Sequence, residues 1–253
     1  MPPAPYVARP ATAEDADAIA ALANANALAL VGEPITNGAE LRDELQAPGP
    51  PLASRSTVVT APNGDVAASL VLQAHPPWTE VTALGEVEAA HRGRGLGTYL
   101  VQRADELAGS LVSDAARDAR PVLLWDAWVG ADGLFELLGR HGFAPVRHFW
   151  RMRIALDAAP PAAVWPAGIG VRTFERGDEH RAHDAIREAF RDHWGASETT
   201  FERFVHDRID GSAAQFDPTL WLLAMDGDEL AGIAICLPDD ATEPRCGSTR
   251  GLA

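Results

Sequence analysis

The chain has 253 residues, 47% of them hydrophobic, and a formal net charge of −15, enough for one or two domains with a substantial core. No apolar run approaches a membrane span, and the opening Met1 to Tyr6 lacks the basic and apolar regions of a signal peptide, so the expectation is a cytoplasmic protein with no membrane partner. The charge excludes nucleic acid as a main partner, since a polyanion is repelled, and favours the approach of a cationic small molecule.

All 21 basic residues are arginine, which reads as a composition bias. The two cysteines, Cys236 and Cys246, form neither a disulfide framework nor a metal-ligand spacing, and no metal is expected.

In chain order, Tyr6 to Arg9 predicts a strand. Thr12 then caps a helix, with Asp15 three residues on, that runs to about Leu30. A second helix is predicted from Ala39 to Gln46, ended by Pro48-Gly49-Pro50-Pro51. Two strands, Thr57–Thr60 and Val66–Gln73, flank the hairpin turn Pro62-Asn63-Gly64-Asp65. A strand from Thr79 to about Glu88 leads into a glycine-spaced turn. A helical pattern opens at once, with Leu96, Tyr99, Leu100, Arg103, Leu107 and Leu111 on one period.

The turn carries the densest chemistry. Gly93, Gly95 and Gly97 let backbone N–H groups converge without Cβ obstruction. The helix start adds unpaired donors and partial positive charge, and Arg92 and Arg94 add full charges. That is a seat for a pyrophosphate. No Lys follows the last glycine, as a Walker loop requires, and the third glycine comes one residue too early for G-x-G-x-x-G.

Downstream, Pro121 to Trp128 predicts a buried strand and Gly133 to Arg140 a short amphipathic helix. Gly142-Phe143 reads as a turn, and Arg147 to Leu156 alternates like an edge strand. The run Arg92-Gly93-Arg94-Gly95-Leu96-Gly97 resembles the Arg/Gln-x-x-Gly-x-Gly/Ala signature of the GCN5-related N-acetyltransferases. The strand–helix–Gly-Phe–strand order resembles the unit that closes their fold, and the two signatures together cover about residues 5–156. The resemblance implies an α/β fold, a mixed sheet with helices on both faces. It also implies acetyl-coenzyme A as co-substrate and a cofactor site made of Val87, Arg92, Gly93, Arg94, Gly95, Leu96, Gly97 and Thr98; a small-molecule amine is the expected acceptor, with a peptide N-terminus or protein lysine left open by the sequence.

Acetyl transfer to an amine needs a neutral nucleophile and a polarised thioester. Glu80, Glu86 and Glu88 share the parity of one strand face, with Val81, Ala83, Gly85 and Val87 on the other. Glu86 is the first choice as general base and Glu80 the second, against the alternative of a solvated glutamate face. His91 reads as a loop residue and Tyr99 as packing. In the family a tyrosine often stands four residues before the Gly of Gly-Phe, where it protonates the sulfur; this chain has Leu138 there. That departure keeps open a second reading, a non-catalytic acyl-coenzyme A-binding module. Arg140 and His141 read as a solvated helix end, the seven tryptophans mostly as packing, and Trp78 as a candidate acceptor contact.

Residues 157–168 read as a proline-stiffened linker. The opening order then repeats: strand Ile169 to Phe174, helices Asp178 to Trp194 and Thr199 to Ile209, and strands Leu220–Met225 and Leu230–Leu237. No second Arg-x-x-Gly-x-Gly follows, and Ala241 to Ala253 shows no strand or helix pattern. The expected organisation is a complete unit over 1–156 and a partial second copy over 169–253. That copy stops before its cofactor-binding strand, through truncation or a frame-shifted end. Tandem family members include the mycothiol synthases of actinobacteria, and Asp192-His193-Trp194-Gly195 resembles a run in their second domain. An unfinished sheet edge would invite pairing with another copy, so a homodimer is a further expectation.

Overall fold

The computed structural model describes residues 1–46, 56–74, 80–112, 122–193, 199–211, 216–238 and 247–252. Trp78, Pro121, Trp194 and Cys246 lie outside them.

The first sheet has five strands in the order β1-β2-β3-β4-β5: Val7–Pro10, Thr57–Thr60, Val66–Ala74, Glu80–Val87 and Val122–Trp125. The first four are antiparallel neighbours, and β5 joins β4 in parallel. Helix α1 (Ala16–Val31) and α2 (Gly38–Gln46) precede β2. Helix α3 (Leu96–Val112) joins β4 to β5, and α4 (Asp132–Arg140) follows. One face of the sheet buries Leu70, Leu72, Val81 and Ala83 against Leu96 and Leu100 of α3. On the other face Val58, Val71 and Leu84 pack against Ile19 of α1 and Leu41 of α2.

The Thr12–Asp15 pattern behaves as its spacing predicts. The Asp15 carboxylate accepts the Thr12 N–H at 2.8 Å and its hydroxyl at 3.0 Å. It also takes a bidentate pair from Arg9 of β1, at 2.7 and 2.6 Å. The geometry recurs six residues apart in the second half, where Arg172 holds Asp178 at 2.6 and 2.7 Å and Asp178 accepts the Glu175 N–H at 2.9 Å.

The second half builds a sheet in the order β6-β7-β8-β9 from Ile169–Thr173, Trp221–Asp226, Glu229–Leu237 and Ser248–Leu252. Helices α5 (Glu179–Ala189) and α6 (Phe201–Val205) lie between β6 and β7. Phe174, Phe204, Trp221, Leu223 and Ile235 form its core. Both helices are shorter than the periodicity predicts, and α6 passes into a wider turn over His206–Asp210.

Two expectations are corrected. Residues 147–156 are not an edge strand: they make no ladder, and Trp150 and Met152 are 86% and 92% exposed. Arg151 and Arg153 reach instead to Glu33, just past the end of α1, with Arg151 at 2.8 Å. The C-terminal stretch, without periodic pattern, does supply a strand. β9 is antiparallel to β8, so the second sheet repeats the strand order of β1 to β4.

Candidate active site

The sheet opens at its fourth strand. β4 and β5 pair only from Glu80↔Val122 to Ala83↔Trp125, and β4 continues to Val87 paired with β3 but not with β5. The Trp125 ring lies across Gly85 so closely that a Cβ there would stand 2.3 Å from Trp125 Cζ2. Beyond this opening the chain turns through residues 88–95 into α3.

That turn is held from three sides. Glu88 is not on the shared strand face; it lies past the end of β4 and accepts the Ala90 N–H at 3.0 Å. His91 meets the buried Tyr6 hydroxyl at 2.8 Å, and Arg94 approaches the same oxygen at 3.4 Å. Arg92 folds back to donate to the Val87 carbonyl at 3.3 Å and to Asn26 Oδ1 at 2.5 Å. Gly93 and Gly95 adopt φ of +74° and +84°, the left-handed region that favours glycine. Gly97 has another reason: a Cβ there would come within 2.9 Å of Leu137 Cδ2, so its absence lets α3 and α4 approach. Tyr99 N–H bonds to the Gly95 carbonyl, which leaves the N–H groups of Leu96, Gly97 and Thr98 ahead of the helical ladder. These donors and the two arginine charges can seat an anion of pyrophosphate size.

Glu86 lies on the α1 side of β4, facing the buried Asn26, whose Nδ2 donates to Glu86 Oε2 at 2.5 Å. Its partner across the ladder is the buried Ser69. Burial pushes the Glu86 carboxyl above the ordinary range, against the Asn26 hydrogen bond and the Arg92 charge, which both lower it. Glu80 lies at the far end of β4, roughly 20 Å along the strand at 3.3 Å per residue, so it is not brought together with the loop. Tyr99 packs partly buried against the α3 core, which raises its phenol. Arg140 pairs with Glu136, at 3.8 Å and in solvent, as a helix end does. Leu138 is buried and carries no acid. Of the tryptophans expected to pack, Trp221 is fully buried, whereas Trp150 and Trp165 are 86% and 51% exposed.

Sequence reasoning missed Asn26 and Tyr6. The signal was present for the first: α1 carries two asparagines in an alanine-rich helix, where Asn is a poor helix former and needs a partner to stay. Asn24 has one too, bonding the Ile35 N–H at 2.9 Å and the Thr36 carbonyl at 2.8 Å.

A cleft of about 1550 Å³ runs from the α1 face of β4 and β5 to the second half, lined among others by Glu44, Glu86, Asp126, Phe143, His206 and Trp221. Arg203 of α6 crosses beside it to Glu44 of α2 at 2.8 Å. Among the described residues no cluster suited to a metal ion is present, and no helix is long and apolar enough to cross a membrane.

A mixed sheet that splits between two parallel strands, with a glycine turn on a helix N-terminus at the split, defines the acetyltransferase fold of the GCN5-related class. Comparison with known proteins agrees. The solved structure of a GCN5-related N-acetyltransferase from Sphaerobacter thermophilus superposes with a TM-score of 0.76 and 31% identity, covering 97% of this chain and 78% of that one. The chain belongs to the GCN5-related N-acetyltransferase family. The mycothiol acetyltransferase of Geodermatophilus obscurus is 32% identical over 218 residues, 85% of this chain and 66% of that protein. That of Beutenbergia cavernae is 31% identical over 206 residues, 76% and 62% of the two chains. The matches thus span about two thirds or less of the length of these curated relatives. No family model matches.

Proposed function

We propose that this chain transfers an acetyl group from acetyl-coenzyme A to a primary amine, by direct attack in a ternary complex. The observation that carries the reading is the pairing, at one end of β4, of a donor-rich turn with a half-buried carboxylate, Glu86. The backbone N–H groups of the 93–98 turn and the Arg92 and Arg94 charges hold the diphosphate. Glu86 removes the amine proton as the N–C bond forms and the C–S bond breaks, and the thiolate leaves to take a proton from solvent. Glu80 stands in reserve on the same cleft, distant from the turn.

We assign residues 1–156 as the catalytic unit, 157–168 as the linker and 169–253 as a partial second copy, with the acceptor held between the halves. Carboxylates at Glu86 and Asp126 suit an amine that arrives as a cation, which the net charge of −15 would steer inward. The similarity to mycothiol acetyltransferases supports a small-molecule acceptor. A cytoplasmic location without nucleic-acid partners belongs to the same reading, and light scattering reads out the expected homodimer.

The buried Leu138, where the family often carries a tyrosine acid, favours the second reading, an acyl-coenzyme A-binding module without turnover. The experiment is thiol release from acetyl-coenzyme A with a panel of amines, beside Arg92→Ala/Arg94→Ala. Catalysis gives amine-dependent thiol, and the double variant weakens cofactor binding at least tenfold. Binding without thiol release selects the second reading, and unchanged affinity in the double variant rejects the loop assignment.

A further inference from the structure

We propose that Asn26 is a positioning residue: its side-chain amide stands between Arg92 of the phosphate-binding turn and the Glu86 carboxylate, orienting both and keeping them from closing on each other. The inference rests on the reading of Glu86 as general base and adds a residue from α1 to it.

The geometry is specific. Asn26 is 7% exposed, and both ends of its amide are used. Oδ1 accepts from Arg92 at 2.5 Å, while Nδ2 donates to Glu86 Oε2 at 2.5 Å and reaches the Val87 carbonyl at 3.3 Å. The amide can face only one way, because a guanidinium has donors alone and a carboxylate has acceptors alone. Arg92 also donates from Nε to the same Val87 carbonyl. Its further N–H groups stay available to a phosphate. One buried amide therefore ties together the end of β4, the phosphate turn and the base.

Separation matters as much as contact. A guanidinium directly on Glu86 would hold the carboxylate well below its ordinary range and make it a poor proton acceptor. With the amide between them, burial keeps Glu86 basic, and the Arg92 charge acts on it only at a distance. Around Glu86 stand Asn26 from α1, Ser69 from β3 and Arg92 from the turn; the cleft wall beyond carries Glu40, Asp43 and Glu44 of α2, Asp126, Arg147 and His148 past β5, and His206, Asp207 and Arg208 of the second half. A short amide at 26 is the one neutral side chain of this reach that can donate to the carboxylate and accept from the guanidinium without bringing a charge.

The test uses the full chain and three variants: Asn26→Asp, Asn26→Ser and Glu86→Gln. Asparagine and aspartate share a shape. Asn26→Asp keeps the acceptor for Arg92 and replaces the donor to Glu86 with a second carboxylate. The acid limb of kcat/KM should then move up by about one pH unit, so that kcat/KM at pH values below the limb falls about tenfold, with the Kd of acetyl-coenzyme A within twofold. Asn26→Ser is too short to hold the pair apart. Arg92 closes on Glu86 and the acid limb moves down instead, so either variant alone tests the idea if the other fails to fold. In a Glu86→Gln background, Asn26→Asp should change turnover less than twofold. An acid limb unmoved in both variants, or an equal loss with and without Glu86, overturns the proposal and leaves Asn26 a packing residue. If Glu86→Gln itself keeps full turnover and the same pH profile, the base assignment falls and the positioning role with it. A large Glu86→Gln loss beside silent Asn26 variants rejects the positioning role alone.

Discussion

At Glu86, burial and hydrogen bonding act in opposite directions, and burial wins. A general base must be ionised, so kcat/KM should fall as pH drops through a Glu86 value that lies above the usual carboxylate range. Glu86→Gln should lower kcat about 100-fold, with little change in the KM for acetyl-coenzyme A, and abolish that limb; steady-state kinetics across pH reads both. Gly85 offers a second check. A methyl there meets the edge of the Trp125 ring at 2.3 Å, and the stiff, partly buried indole can yield only by shifting as a whole. Gly85→Ala should destabilise the chain by about 2 kcal/mol, seen as a lower urea midpoint, and the ring displaced toward the split should weaken cofactor binding.

At the level of elements, each half begins with one device: an arginine at the end of a strand grips the aspartate that opens the next helix. The pair holds the Asp15 carboxyl down at about 2, chiefly through the Arg9 hydrogen bond, and lowers Asp178 through Arg172. A carboxyl depressed in the folded state stabilises it fully above the unfolded value of about 4, and that contribution is lost as pH falls toward 2. Asp15→Asn should therefore cost about 1–2 kcal/mol at neutral pH and flatten the dependence of stability between pH 4 and 2, followed by denaturant unfolding at each pH. The Thr12–Asp15 spacing was legible in the sequence because a cap is a local pattern. The arginine six residues earlier was not, because only the folded strand brings it over the cap. The same distinction explains residues 147–156. Alternation states what a strand there would look like, but a strand also needs a neighbouring ladder, and the stretch is drawn to Glu33 instead. β9 is the converse, a strand without alternation, recruited by the exposed polar edge of β8. The phosphate turn was fully legible, since glycine spacing and charge are written in consecutive residues. Asn26 lies 60 residues from Glu86, and no spacing rule joins them.

At the scale of the molecule, the first sheet supplies the cofactor side and the cleft against the second half supplies room for an acceptor. Arg203 is the clearest tie across it, 12% exposed and held by Glu44 at 2.8 Å and Asp207 at 2.7 Å. Arg203→Ala leaves two carboxylates facing each other. It should cost on the order of 2 kcal/mol, between the worth of an exposed and a buried pair, and raise the acceptor KM more than that of acetyl-coenzyme A. The central claim is that the 93–98 turn is an acetyl-coenzyme A site, and calorimetric titration of the purified chain with acetyl-coenzyme A and with free coenzyme A tests it most directly. The account predicts micromolar binding of both, weakened at least tenfold in Arg92→Ala/Arg94→Ala; a folded chain that takes up neither would contradict it.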